Sequence, residues 1–152
     1  MKLHCLVIVV LMFNLPNSVI SANIESPQRL NTADVVSIQI SKGLHGKYTK
    51  TYKAKRFWEK NKITNVVNWI NIATENNIEN DTVVYGYPDF LRIDFKNGEN
   101  IYISYAQKCE VRRNVDSTEY TCKRIDDYIT YKQGEETKTL YSKQLFDWMK
   151  SI

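Results

Sequence analysis

The sequence predicts an α+β domain: an antiparallel sheet of hairpins with two amphipathic helices, at about 62–75 and 143–151, on one face. Three observations carry the prediction. Apolar and polar residues alternate over several short segments, two segments switch to helical spacing, and an Asn-Gly pair and two cysteines mark hairpins.

The first residues stand apart from that domain. Met1 and Lys2 supply one positive charge, Leu6 to Phe13 form an apolar run too short to cross a membrane, and Pro16 stops any helix. Ser18 to Ala22 places small residues or Val where a signal peptidase reads, so residues 1–22 read as a cleavable secretory signal peptide and Asn23 as the first mature residue. An uncleaved anchor is the rival reading, and the short apolar run fits it poorly. Cys5 precedes that run, which argues against a lipid anchor. Residues 23–33 read as a flexible N-terminal segment and 34–152 as a single domain, with no later apolar stretch of membrane-spanning length. Export places the protein outside the cytoplasm, secreted or periplasmic.

Within the domain, Asp34 to Ser41 alternates at Val36, Ile38 and Ile40, as a half-buried strand does. Gly43 to Gly46 is a turn, and Lys47 to Trp58 is expected to continue extended. Ile63, Val66, Val67, Ile70 and Ala73 then fall at helical spacing behind Asn61 as N-cap, with Asn76 and Asn77 ending the helix. Leu91, Ile93 and Phe95 alternate before Asn97-Gly98, and Ile101, Ile103 and Tyr105 after it, so a hairpin is expected there. Ile125, Ile129 and Tyr131 lead to a turn at Gln133-Gly134 and a short strand from Thr137 to Tyr141. Ser142 is placed to cap a last helix whose Leu145, Phe146 and Met149 face the core, with Tyr141 packing on Phe146 as a hydrophobic staple.

Removal of the leader leaves Cys109 and Cys122, and two thiols in an oxidising compartment pair. The residues between them read as two extended arms around Asn114 to Ser117, which sets Cys109 opposite Cys122 and Val111 opposite Tyr120. A zinc site needs more ligands than two thiols, and a redox pair favours a shorter spacer.

The run Ile63 to Ala73 with Trp69-Ile70-Asn71, then Pro88-Asp89-Phe90, Phe95-Lys96-Asn97-Gly98, and a closing Leu140-Tyr141-Ser142 before a helix resembles the small extracytoplasmic bacterial domains called YhfM-like. The resemblance spans about Asp34 to Met149. It implies the fold and an envelope location, with no catalytic residues to carry over. The chain departs from the lipoprotein form of such domains in lacking a lipid-modifiable Cys. The Lys-, Asn- and Ile-rich composition also reads as bacterial, which would leave the glycosylation triplet Asn80-Asp81-Thr82 unused.

Charge is concentrated. From Lys42 to Lys62 eight cations stand against Glu59 alone, whereas the rest of the chain, Lys2 apart, holds 12 basic and 16 acidic residues. Lys47, Lys50, Lys53, Lys55 and Arg56, interleaved with Tyr48, Tyr52 and Trp58, form a candidate polyanion-binding surface, with ammonium groups on phosphates and rings stacking on bases or sugars. An anionic envelope component suits that surface better than nucleic acid. The competing reading is an edge strand protected by lysines with its aromatics turned inward. Arg112 and Arg113, with Lys108, Lys123 and Arg124, form a second candidate surface for a protein partner on the Cys hairpin, although alternation splits them between faces and ordinary solvated charge also explains them.

Catalytic readings are weaker. His45, in the loop Gly43-Leu44-His45-Gly46, is the one histidine beyond the leader, so a hydrolase would have to use it. Asp126 and Asp127 are expected on opposite faces of a strand, and Glu135-Glu136 in a turn. No catalytic residue, metal site or cofactor is therefore expected. The sequence points to an exported, non-catalytic binding protein for a protein or anionic envelope component, the rival functions being an inhibitor or immunity protein acting through the Cys hairpin and a small hydrolase.

Overall fold

A computed structural model of the chain describes residues 29–42, 48–78, 89–113 and 118–152. The expected signal peptide, the Gly43 to Gly46 turn with His45, Lys47, the Asn80-Asp81-Thr82 triplet and the centre of the Cys hairpin lie outside the described residues. A short 3-10 turn at Thr32–Asp34 leads into β1 (Val35–Lys42), β2 (Tyr48–Lys53), α1 (Phe57–Asn71), β3 (Thr74–Glu75), β4 (Asp89–Phe95), β5 (Asn100–Arg113), β6 (Thr118–Gln133), β7 (Glu136–Tyr141) and α2 (Lys143–Ser151). The strands form one seven-stranded antiparallel sheet in the order β2-β1-β4-β5-β6-β7-β3.

Period-two alternation puts the apolar side chains of successive strands in register on one face. Tyr52, Ile38, Ile93 and Ile101 are successive cross-strand partners, as are Ile40, Leu91, Ile103 and Tyr131, and then Tyr105, Ile129 and Leu140. All are buried, in one cluster with Ile63, Val66, Val67 and Ile70 of α1 and Leu145, Phe146 and Met149 of α2. Each such side chain contributes about 1.5–3 kcal/mol relative to exposure. The Asn97-Gly98 turn joins β4 to β5 as expected, with Gly98 at φ +88°, where a side chain would be strained. Asn97 Oδ1 accepts from the Glu99 N–H at 3.0 Å.

The first helix is displaced from its expected span of 62–75. It starts at Phe57, with Arg56 rather than Asn61 in the cap position and no side-chain cap bond. The start is fixed instead by Glu59, whose carboxylate accepts from the Lys53 backbone N–H at 2.6 Å and from Arg56 Nη1 at 3.1 Å. An acid in the first turn also suits the helix dipole. At the other end, Asn71 exchanges two 2.8 Å bonds with the backbone of Leu30. Thr74 and Glu75 then leave the helix to pair with Tyr141 and Leu140, supplying hydrogen bonds that the β7 edge needs. The extended run expected from Lys47 to Trp58 accordingly stops at Lys53.

The last helix has its expected bounds and core face, but its cap differs. Ser142 occupies the N-cap position and donates its hydroxyl to the Trp69 carbonyl at 3.3 Å instead of capping the helix. Phe146 packs edge-on against Tyr105 at 5.2 Å, and Tyr141 against Tyr128 at 5.4 Å, in place of the staple between them.

The β5–β6 ladder breaks once. Tyr105 pairs with Ile129 and Gln107 with Arg124, so Ala106 alone faces the stretch from Ile125 to Tyr128, where Asp127 takes φ +66°. A bulge of this size bends both strands and re-aims the hairpin end. Past the bulge, no described residue of β4 or β7 pairs with the hairpin, and Gln107 to Arg113 with Thr118 to Arg124 form an arm whose side chains are mostly exposed. Cys109 faces Cys122 and Val111 faces Tyr120, as the sequence predicts, and the thiols are joined at an S–S distance of 2.06 Å.

Candidate functional site

The corner where β2 turns into α1 gathers most of the charge concentrated between Lys42 and Lys62. β2 is one of the two outer strands of the sheet, and Ala54, Lys55 and Arg56 carry the chain from it into the helix. The core stripe of α1 runs through Glu59, Ile63, Val66, Val67 and Ile70. Phe57 and Trp58 lie off that stripe and stay exposed, at 87 % and 74 % of their full surface. Helical spacing sets Lys60 three residues beyond Phe57 and Lys62 four beyond Trp58, so each ring shares a helix face with a lysine.

Glu59 is the sole acid of this segment, and it faces inward. The Lys53 backbone N–H and then the Arg56 guanidinium hold its carboxyl below the ordinary glutamate range, so it stays ionised as a structural clamp. Its charge is spent on the turn. Lys53, Lys55 and Lys60 are exposed and form no ion pair with the described residues. Beside Lys55 and Lys60 runs an open groove of about 900 Å³ with Val35, Val36, Ala54 and Ile63 among its lining.

The predicted polyanion residues are only partly brought together. Lys53, Lys55, Arg56 and Trp58 belong to the corner. Tyr52 is turned into the core at 4 % exposure, flanked by Lys50 Nζ at 5.3 Å and Lys62 Nζ at 5.0 Å over its ring. Lys50 thus sits on the helix-covered side of the sheet edge. Tyr48 lies beside Phe90 at 6.1 Å, and its hydroxyl followed by the Asp94 carboxylate raises the Arg92 pKa. Sequence reasoning did not single out Phe57 as an exposed ring of this corner. The signal was present: once the stripe is extended back to Glu59, both aromatics fall outside it.

The arm is the second candidate surface. Arg112 and Arg113 are both exposed and alternate between its two faces. Arg124 serves the arm's root instead, with its guanidinium 4.1 Å from the centre of the Tyr105 ring and 2.8 Å from Asp89 Oδ2. Val111 at 48 % and Tyr120 at 60 % exposure form an uncovered pair next to the disulfide.

Among the acids singled out in the sequence, Asp127 accepts the Ser142 N–H at its carbonyl, 2.9 Å, and its carboxylate lies 3.8 Å from Lys143 Nζ. Glu136 pairs with Lys138 at 2.7 Å. Among the described residues, no three His, Cys, Asp or Glu side chains converge as metal ligands, and no helix is long and apolar enough to cross a membrane. A disulfide of this kind persists in an oxidising compartment.

No family model, no curated protein and no solved structure matches the chain.

Proposed function

We propose that this is an exported, non-catalytic binding protein whose β2–α1 corner docks on an anionic component of the bacterial cell envelope. The observation that carries the reading is the pairing of two exposed rings, Phe57 and Trp58, with exposed cations in a run whose one acid, Glu59, is tied inward. Lysines alone would protect a sheet edge. Protection does not call for two large aromatics held in water beside them. The leader-like first 22 residues and the disulfide support an extracytoplasmic location, secreted or periplasmic.

The test is retention on immobilised heparin or lipopolysaccharide over a salt gradient. Reversal of Lys53, Lys55 and Lys60 to Glu abolishes salt-sensitive retention, whereas the same charge change at Lys123, Lys132 and Lys150 lowers it only slightly. Equal behaviour of the two triple variants refutes the corner as the binding surface.

A second reading, capture of a protein partner by the arm in the manner of an inhibitor or immunity protein, is favoured by the exposed Val111–Tyr120 pair beside the disulfide. On that reading Arg112→Ala with Arg113→Ala abolishes partner capture and leaves the fold intact.

A further inference from the structure

We propose that the anionic surface recognised by the β2–α1 corner is a lipid bilayer, into whose headgroup region Phe57 and Trp58 insert while Lys55, Arg56 and Lys60 rest on lipid phosphates. The proposal deepens the corner reading and rests on it.

A soluble polyanion offers charge and hydrogen-bond acceptors but no apolar depth. An anionic bilayer offers both within a few ångströms. Phe57 has no polar atom with which to bond a phosphate chain, and folding leaves 87 % of it exposed. Trp58 is the ring type that settles at a membrane interface, its indole body among acyl carbons and its N–H toward the headgroups. Lysine and arginine complete the arrangement because their long stems lie along apolar surface while their charged ends reach phosphate.

The corner also holds both rings at one end of a helix. They occupy the first turn of α1, and Glu59 in that same turn binds both the end of β2 and Arg56. The turn that carries them is therefore tied to the sheet edge by the bond between Glu59 and the Lys53 N–H and braced within itself by Arg56, instead of lying on a free loop. The adjoining groove, with Val36 on its lining and Lys55 and Lys60 beside it, extends an apolar surface edged by cations from the Phe57 side of the helix. The other two tryptophans, Trp69 and Trp148, pack on each other at 5.9 Å and against the core, so Trp58 is the indole available to lipid.

The experiment is co-sedimentation of the exported, disulfide-bonded protein with vesicles of phosphatidylcholine alone or mixed equally with phosphatidylglycerol. Binding to the mixed vesicles is expected, with at least about tenfold weaker binding to phosphatidylcholine alone and a comparable loss for Phe57→Ser with Trp58→Ser. Brominated acyl chains should quench the unmodified protein's fluorescence and should quench Trp58→Phe much less, a readout that needs no binding-defective variant. Retention on heparin without vesicle binding overturns the bilayer proposal and leaves the corner reading standing; loss of both removes both. Vesicle binding that ignores the Phe57 and Trp58 changes but collapses on reversal of Lys55 and Lys60 also overturns insertion, since it describes adsorption by charge alone.

Discussion

Replacing both Phe57 and Trp58 with Ser should leave folding stability almost unchanged, although the change removes two of the largest apolar side chains in the protein. Folding withdraws only about an eighth of Phe57 and about a quarter of Trp58 from water. Full burial of a side chain of this class contributes up to about 3 kcal/mol, so the two rings together account for about 1 kcal/mol at most. Serine and these aromatics have similar helix propensities, and the exchange adds little on that account. Phe146 gives the contrast: it is 2 % exposed and packs edge-on against Tyr105, so Phe146→Ala should cost about 3–5 kcal/mol. Urea unfolding followed by circular dichroism measures both, with the slope of the transition checking that the unfolded reference is the same. A loss above about 2 kcal/mol for the double serine variant would show the rings packed on the fold, and would refute the argument that the corner presents them to a ligand.

The remaining predictions concern the arm, the buried phenols and the corner clamp. Cys109 and Cys122 are 13 residues apart, and closing a loop of that size stabilises by about 3 kcal/mol. Because the arm packs little of itself on the core, Cys109→Ser with Cys122→Ser should cost less than that, with amide exchange accelerating in Gln107–Arg113 and Thr118–Arg124 before it does in β1 and β4. Tyr105 and Tyr131 are both pushed up to about 12, chiefly by burial, so ultraviolet titration should find two phenols ionising near pH 12. A raised phenol pKa keeps the protonated form in the folded state; its contribution, about 2–3 kcal/mol per ring, holds below pH 10 and disappears as pH rises from about 10 to 12. Alkaline unfolding that starts only above that window would contradict the assignment. Glu59 is lowered, so the sign reverses: its contribution is present above the ordinary glutamate range and lost as pH falls through the folded value. Glu59→Gln should therefore reduce stability at neutral pH and flatten the acid limb of the stability profile, and an unaltered limb would remove the clamp.

Much of the fold is legible from short-range pattern. The partner rows through Ile38, Ile93 and Ile101 follow from alternation, which fixes a face wherever one side of a sheet is buried. The α2 core residues Leu145, Phe146 and Met149 follow from helical spacing, and Asn97-Gly98 from turn chemistry. The candidate site was less legible. Its cations stand in an obvious run, but whether Tyr48, Tyr52, Phe57 and Trp58 face core, open sheet or water depends on where β2 ends and α1 begins. That boundary carries no Ser, Thr, Asn or Asp cap, because a glutamate three residues inside the helix sets it by bonding back to Lys53.

The sequence by itself determined the alternating strands, the apolar stripes of both helices, the pairing of Cys109 with Cys122 and the clustering of positive charge, because each depends on spacings of a few residues. Tertiary structure alone decided that Thr74 and Glu75 would leave a helix for the β7 edge, that Arg124 would brace the root of the arm, and that Phe57 and Trp58 would remain in water. The physical reason is common to all three. A buried edge, a ring face or an uncovered surface is completed or left open by groups distant in the chain, and local periodicity records which face a residue takes without recording what stands opposite it.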